Sequence, residues 1–144
     1  MKKILVIIFL FSCFAIKAKS QSTVYDLIKL SIENKMFNKE FFICKNSNTI
    51  KIFDKIGVID TEFYHTFCDK TIEIKNDSRY RNLIPDSPQT RKIDGSVILL
   101  YCYEKNNNEY TLCFWKPYSG ASLKLTFKKK RRKYKITKHT IGTF

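Results

Sequence analysis

Residues 97–137 read VILLYCYEKNNNEYTLCFWKPYSGASLKLTFKKKRRKYKIT, and this stretch decides the fold. Its β-rich runs are separated by NNN at 106–108, by KPYSG at 116–120 and by a cluster of charges at 129–132. Asparagine, proline and glycine favour tight turns, and the runs around the charge cluster alternate between apolar and polar residues. The stretch therefore predicts a four-stranded antiparallel meander with one buried face.

The asparagine-rich turn predicts the register of the first hairpin in this meander. If Asn107 and Asn108 form a two-residue turn, Cys102 lies opposite Cys113, and Leu100 lies opposite Trp115. Directly opposed residues of an antiparallel pair have Cβ atoms about 4.5–5.5 Å apart, a little wide for an unstrained disulfide.

Upstream of the meander, the pattern predicts helices and further strands. Val24, Leu27, Ile28 and Ile32 recur at helical spacing and predict a helix that ends near Lys35. Four further segments are predicted: a hairpin of Phe41–Cys44 and Thr49–Phe53, a short helix carrying Phe63, Tyr64, Phe67 and Cys68, a strand at Thr71–Lys75, and a long loop at Asn76–Asp94. Helices followed by an antiparallel sheet predict an α+β domain, with one or two N-terminal helices packed on the sheet.

The beginning of the chain has the composition of a secretory signal. Met1–Lys3 is positively charged, Ile4–Ile16 is almost entirely apolar, and Ala18–Ser20 presents small residues where a signal peptidase cuts. We therefore predict a signal peptide over residues 1–20, removed before Gln21, and a single exported domain over residues 21–144, periplasmic or extracellular.

Two alternatives concern the same segment. Cys13 follows Leu10–Phe11–Ser12, which loosely resembles a lipidation box, so a lipoprotein is a second hypothesis. A membrane anchor is less compatible, because a thirteen-residue helix covers only about 20 Å of a hydrocarbon layer about 30 Å thick. The remaining sequence has no apolar stretch of that length, so no transmembrane segment is predicted after cleavage.

Positive charge is concentrated at the end of the chain. The predicted signal contains four of the 27 basic residues, which leaves 23 basic residues against 13 acidic ones and a net charge of +10. Glu109 is the last acidic residue, and residues 110–144 contain eight lysines and two arginines. This asymmetry favours a polyanionic partner or a membrane surface, although lysine enrichment from an AT-rich genome is a competing explanation.

Four cysteines remain after the predicted cleavage: Cys44, Cys68, Cys102 and Cys113. An even number in an oxidising compartment is typical of two disulfides, with three possible connectivities, and export leads us to predict at least one bridge. The alternative is four reduced, buried cysteines that act as small apolar side chains.

The last strand pair resembles that of small exported bacterial proteins of unknown function. The resemblance rests on Gly120–Leu123 followed by Phe127–Ile136: a glycine, a strand, a lysine-rich turn, and a strand with an aromatic residue, lysine and isoleucine. Here Tyr134 stands where tryptophan is common. Many such families have a fold similar to nuclear transport factor 2 or to cystatins, so the resemblance implies helices packed in the concavity of a curved antiparallel sheet. It implies almost nothing about function.

The basic end of the meander is the candidate functional surface. Alternation puts Leu123, Leu125 and Phe127 on the buried face, and the charged side chains on the other face or at the tip. An acidic protein or another anionic envelope component is the predicted partner, whereas nucleic acid is not expected for an exported chain. The competing explanation is a solvated edge whose charges prevent aggregation. The predicted partner-binding residues are Lys124, Lys128, Lys129, Lys130, Arg131, Arg132, Lys133 and Lys135.

No catalytic, metal or cofactor motif emerges from the sequence. His65 and Cys68 have a spacing that a metal could use on a helix, but His139 is the only other histidine and zinc needs three or four ligands. The four glycines are not spaced for a phosphate-binding loop. The carboxylates Asp54, Asp60, Glu62 and Asp69 are better explained by capping and solvation than by a paired-carboxylate site. We therefore predict no catalytic residue, no metal and no cofactor.

Three functions are compatible with these features. The leading hypothesis is a non-enzymatic exported binding protein, such as an inhibitor or immunity-type protein that recognises an acidic partner surface. The second is a small-ligand carrier or degenerate enzyme with a cone-like fold, and the third is attachment to anionic envelope lipid. The second hypothesis predicts a pocket lined by six aromatic residues: Tyr101, Tyr103, Tyr110, Phe114, Trp115 and Tyr118.

Overall fold

The computed structural model describes residues 22–45, 49–85 and 87–144. In this part of the chain, two helices pack against a strongly curled, mixed seven-stranded sheet, as expected for an α+β fold. The predicted signal peptide, its cleavage site and Cys13 lie outside the described residues. Helix α1 covers described residues 22–32, and the other elements are α2 (Lys35–Phe41), β1 (Ile50–Asp54), β2 (Phe63–Phe67), β3 (Lys70–Asn76), β4 (Val97–Asn106), β5 (Glu109–Trp115), β6 (Ala121–Lys130) and β7 (Lys133–Thr143).

The sheet is mixed rather than wholly antiparallel, which corrects the sequence-based prediction. The strand order is β2-β3-β1-β4-β5-β6-β7, and β1 runs parallel to both of its neighbours, β3 and β4. Ile52 of β1 is the register partner of Ile74 on one side and of Ile98 on the other. The β2–β3 hairpin explains this geometry, because it returns the chain alongside β1 in the same direction. From β4 onward the predicted four-stranded antiparallel meander is confirmed.

The predicted strand at Phe41–Cys44 is wrong, and the chain forms a second helix before it. Helix α1 ends at residue 32, and the Asn34 side chain caps α2 by accepting a hydrogen bond from the Met36 N–H at 2.8 Å. Phe37 and Phe41 are four residues apart, so one face of α2 buries both rings. The partner strand of the predicted hairpin is confirmed as β1.

The predicted short helix around Phe63–Cys68 is also wrong. These residues form β2 and a tight turn, in which Cys68 and Asp69 both have positive φ (51° and 58°). The aromatic residues satisfy a period of two as well as a helical period, since Phe63 and Phe67 are half-buried while Tyr64 is exposed. The predicted strand at Thr71–Lys75 is confirmed as β3. The predicted loop contains two short 3₁₀ turns, Ser78–Tyr80 and Thr90–Lys92.

The meander register agrees with the prediction except at one point. Cys102 is the partner of Cys113, as predicted from the Asn107–Asn108 turn. Leu100, however, lies opposite Phe114 rather than Trp115, because the register shifts between Leu100 and Cys102. This bulge brings Leu100 and Phe114 together on the helix-covered face, where both are fully buried.

The two faces of the sheet are covered differently. The face toward the helices, called the inner face, contains most of the core, including Leu27 and Ile28 of α1 and Leu112 of β5. On the opposite, outer face, residues 77–85 and 87–95 cover a smaller apolar cluster of Phe53, Val97, Leu99 and Trp115, with Tyr80, Leu83, Ile93 and Tyr101 at its margin. The outer face of β5, β6 and β7 beyond this cluster is polar.

The four described cysteines form one bridge, which confirms the prediction of at least one disulfide, and the second bridge allowed by their even number is not formed among them. Cys44, just after α2, is bonded to Cys68 in the β2–β3 turn, with the Cα atoms 5.3 Å apart. Cys102 and Cys113 remain thiols although they are register partners on β4 and β5. The disulfide therefore connects the helical layer to the β2 end of the sheet.

Candidate functional site

The predicted basic surface lies on the β6–β7 hairpin, and the strand register assigns its side chains to faces. Lys124, Lys128 and Lys135 are exposed on the outer face, while Leu123, Leu125 and Phe127 are buried on the inner one, as predicted. The same alternation places Lys130 and Lys133 on the outer face, next to the tip. The five outer-face side chains are called the lysine face below: Lys124, Lys128, Lys130, Lys133 and Lys135.

The other three predicted residues lie at the tip of the hairpin or on its inner face. Arg131 and Arg132 form the two-residue turn, where Arg131 has a positive φ of 58°. Lys129 is half-buried and lies on the inner side, with its Nζ 5.1 Å from the centroid of the Tyr134 ring. The Tyr134 hydroxyl donates a hydrogen bond to Thr23 Oγ1 at 3.2 Å. Lys129 therefore packs on the β7 ring that contacts α1, and it lies on the opposite side of the sheet from the lysine face.

The lysine face contains two pairs of directly opposed positive charges. Lys128 is the register partner of Lys135, and Lys130 is the register partner of Lys133. Like charges in directly opposed positions destabilise an antiparallel pair, typically by a few tenths of a kcal/mol. Glu109 lies opposite Lys128 on β5, but none of the lysine-face side chains forms an ion pair within the described part of the chain. Within the described part of the chain, these opposed lysines therefore have no ion-pair partner, although Glu109 lies across from Lys128.

A polar groove next to the lysine face was not found from the sequence. It has a volume of about 530 Å³ and crosses the outer face of all four meander strands. Thr111 and Thr126 are register partners within it, Glu104 and Glu109 lie toward β4 and β5, and lysines lie toward β6 and β7. Period-two alternation could have indicated which side chains of each strand share a face. Only the strand order shows that the four strands lie next to one another and form one groove. The complete lining is Glu104, Asn106, Glu109, Thr111, Lys124, Thr126, Lys138 and Thr140.

Two lysines in the basic C-terminal quarter differ from the prediction. Lys138 was not among the predicted residues, yet it lies on the outer face opposite Thr126 because β7 contains a bulge at Thr137. Lys116, in contrast, is buried at 8 % exposure, and its Nζ donates a hydrogen bond to the Phe41 carbonyl at 3.1 Å. Burial lowers the pKa of Lys116. This side chain satisfies a carbonyl at the end of α2 and does not add to the surface charge.

The other residues considered as catalytic or metal-binding candidates make contacts that stabilise the fold. Asp54 is fully buried and accepts hydrogen bonds from the Ile56, Gly57 and Ile59 N–H groups at 2.6–2.9 Å, so it organises the turn after β1. His65 Nε2 lies 3.1 Å from Glu33 Oε1, on a strand rather than on a helix. Because Cys68 is in the disulfide, its sulfur is not available as a thiolate partner for His65. The described residues contain no group of three or more side chains suited to a metal ion.

The two free thiols lie side by side below the groove wall. Burial raises the pKa of Cys113 to about 12 and also raises the pKa of Cys102, whose Sγ lies 3.6 Å from Glu104 Oε1. Both thiols are therefore protonated at neutral pH and are weak nucleophiles.

The six aromatic residues that were predicted to line a pocket are divided between the two faces. Phe114 and Tyr110 lie in the core under the helices, and Trp115 belongs to the outer cluster. Tyr118 is 65 % exposed in the turn before β6. Helix α1 occupies the inner face instead, with Val24, Leu27, Ile28 and Ile32 packed into the core. The six rings therefore do not line one common pocket.

No family model, no curated protein and no solved structure matches this chain. Neither helix of the described residues is long and apolar enough to cross a membrane.

Proposed function

We propose that this chain is an exported, non-enzymatic binding protein whose lysine face recognises an acidic surface of a partner protein. The observation that carries the proposal is the opposition of like charges on the β6–β7 hairpin, where Lys128 faces Lys135 and Lys130 faces Lys133 and where the described residues form no ion pair with them. An acidic partner would relieve this repulsion and gain Coulomb energy at the same contacts.

Protection of the sheet edge against aggregation explains fewer of these lysines than partner binding does. Edge strands do use lysines to prevent sheet-to-sheet aggregation, and β7 is an edge strand. Protection of an edge does not need charge on the neighbouring strand, yet Lys124, Lys128 and Lys130 all lie on β6. The lysine face spans both strands, as expected for a surface that is presented to a partner.

Export is the second part of the proposal. The Cys44–Cys68 disulfide is compatible with an oxidising compartment, where such bonds persist. If the signal prediction is correct, the isolated protein begins at Gln21, and its intact mass is that of residues 21–144 less two hydrogens for the bridge. An intact Met1, or a lipid attached to Cys13, would contradict export by the predicted route.

Capture of the partner tests the binding hypothesis. The protein, carrying a tag on a flexible linker after Phe144, is incubated with envelope extract at low salt, and stoichiometric companions are identified by mass spectrometry. A hairpin variant with Lys128, Lys130, Lys133 and Lys135 changed to glutamine is compared with wild type. The matched control changes four exposed lysines around the helices to glutamine: Lys29, Lys35, Lys39 and Lys45.

We expect one acidic protein near one-to-one stoichiometry with wild type and with the control variant. The hairpin variant should bind it at least about tenfold more weakly and with a flatter salt dependence, because nearby charges control both association rate and screening. Equal binding by the hairpin variant would remove the lysine face from the function. Recovery of anionic lipid vesicles without a protein would instead favour attachment to the envelope surface.

A further inference from the structure

One edge of the sheet is long and has no partner strand among the described residues. Strand β7 is the last in the order and contains eleven residues. Alternate residues of an edge strand direct their N–H and C=O groups away from the sheet, where an added strand can bind them.

The hydrogen-bond pattern identifies which residues of β7 present these groups. The Phe144 N–H donates to the Gly120 carbonyl at 3.0 Å, and the pairing continues without a register shift until Lys138 opposite Thr126. Alternation from this bond directs the backbone groups of His139 and Ile141 away from β6. Both residues are exposed, so their N–H and C=O groups are accessible to another chain.

The two faces of β7 differ in chemistry. Lys133, Lys135 and Lys138 lie on the outer side, and β7 contains no acidic residue. On the inner side, Tyr134 and Ile136 are only half-buried against the core, and Ile141 is 44 % exposed. The exposed His139 lies between these residues on the same side, opposite Leu125. A strand added next to β7 would therefore meet lysines on one face and, on the other, incompletely covered apolar side chains interrupted by His139.

We propose that β7 binds an extended segment of its partner as an eighth strand of the sheet, and that this segment alternates acidic and apolar residues. This inference rests on the proposed function, because it names the part of the acidic partner that the lysine face recognises. Backbone hydrogen bonds supply affinity in such strand addition, and alternate side chains supply specificity.

The same features disfavour a second copy of this chain as the occupant. A second β7 would place lysines against lysines, and the bulge at Thr137 interrupts the edge between Ile136 and Lys138. The charge therefore selects against self-pairing and for an acidic strand. After the bulge, Lys138–Thr143 remain in continuous register with β6 and are available for pairing. Lys138 is the lysine on the outer side of this segment, and an added strand that extends past the bulge also meets Lys135 and Lys133.

A synthetic peptide tests this inference directly. The probe is an eight-residue peptide of four Glu-Val repeats, acetylated and amidated, titrated into the full protein at low salt. Two matched peptides separate backbone from charge: one is N-methylated at every residue and cannot donate hydrogen bonds, and one replaces each glutamate with glutamine. The matched protein variants are His139→Pro, which removes an outward N–H, and His139→Ala, which keeps it.

We expect the Glu-Val peptide to bind wild type and His139→Ala alike. The N-methylated peptide, the glutamine peptide and the His139→Pro variant should each weaken binding by about tenfold or more. Circular dichroism checks the fold of His139→Pro; if it is unfolded, the N-methylated peptide on wild type decides the question.

The outcomes separate this inference from the proposed function. Equal binding of the methylated and unmethylated peptides overturns strand addition, and so does absence of binding by the Glu-Val peptide. If methylated and unmethylated peptides both bind wild type and both lose affinity when Lys128, Lys130, Lys133 and Lys135 are changed to glutamine, the lysine face still recognises acidic groups and the proposed function stands. If that glutamine variant binds the acidic partner as wild type does, the proposed function fails.

Discussion

The two edges of the seven-stranded sheet are protected in different ways. At one edge, β2 has five residues, is followed by a tight turn with positive φ at Cys68 and Asp69, and is bonded to the helical layer through Cys44–Cys68. At the other, β7 has eleven residues, no covalent connection, and lysines along its outer face. A short edge strand has few unpaired backbone groups for an incoming strand to bind. A long edge strand has many, and its charged side chains then determine which strands can pair with it.

The outer face of the sheet also differs between its two ends. Near β1 and β4 it is apolar and covered by residues 77–85 and 87–95, with the Phe53 ring stacked on Tyr80 at 4.9 Å between centroids. Near β6 and β7 it is open, polar and basic. One side of the molecule is therefore closed by the chain itself, and the other is accessible to a partner.

Among the changes that test the difference between the two edges, loss of the disulfide should have the largest effect on stability. Cys44→Ala removes a bridge between residues 24 apart in sequence, which should lower the free energy of unfolding by about 3 kcal/mol in the chain-entropy picture. Urea unfolding of the oxidised protein measures the change. Cys102→Ala is the control because Cys102 is a half-buried free thiol, and it should cost less than about 1 kcal/mol. Equal losses in both variants would show that the bridge does not secure the β2 edge.

Thiol alkylation separates the two cysteine pairs by reactivity. Without reductant, iodoacetamide should label Cys102 and Cys113 but not Cys44 and Cys68, as read by peptide mass spectrometry. Cys113 should react at least about tenfold more slowly than Cys102, because it is buried and its pKa is raised to about 12. Only the thiolate reacts, so the rate at Cys113 should rise about tenfold between pH 8 and pH 9. Labelling of all four cysteines without reductant would contradict the pairing.

Removal of one charge from an opposed lysine pair should stabilise the β7 edge. Lys135→Thr relieves the repulsion with Lys128 and should raise the free energy of unfolding by about 0.5 kcal/mol at low salt. Lys124→Thr is the control, because its partners are Cys113 and Thr140, and its effect should be close to zero. The difference should disappear on addition of about 1 M salt, which shortens the screening length to about 3 Å. A destabilised Lys135→Thr would show that the repulsion is already compensated in the free protein.

Loss of the contact between Glu33 and His65 at the β2 edge should have the smallest effect on stability. Glu33→Gln removes the carboxylate 3.1 Å from His65 Nε2, but half of the Glu33 side chain is exposed to solvent. Exposed pairs contribute little, so the free energy of unfolding should fall by only a few tenths of a kcal/mol. Glu40→Gln on α2 removes the same charge away from β2 and serves as the control. A loss above about 1 kcal/mol specific to Glu33→Gln would make this pair, rather than the disulfide, the main connection of the β2 edge.

Sequence reasoning succeeded where local chemistry decides the structure. The Asn107–Asn108 turn, the break between strands at the 129–132 charge cluster and the alternation between Leu123 and Lys128 are short-range signals, and each appears in the structure as predicted. It failed at Phe41–Cys44 and at Phe63–Cys68, where short apolar runs satisfy helical and strand periods equally well. Burial of Phe37 and Phe41 on one face of α2, and pairing of β2 with β3, resolved these ambiguities.

The candidate site was only partly predictable for a similar reason. All eight predicted basic residues lie on the β6–β7 hairpin, yet Lys129 packs on Tyr134, while Lys138 joins the outer face through a bulge. Neither outcome is visible without the pairing of β6 with β7. The groove walls come from four strands, so their proximity depends on the strand order.

Composition and periodicity alone established the basic C-terminal quarter, the four-stranded meander and its buried face, because charge counts and tight turns depend on neighbouring residues. The tertiary structure decided the parallel position of β1 between β3 and β4, the choice of Cys68 as the partner of Cys44, and the burial of Lys116 against the end of α2. These features join residues far apart in the chain. They depend on how the helices pack against the sheet in one hydrophobic core, and no local pattern in the sequence specifies that packing.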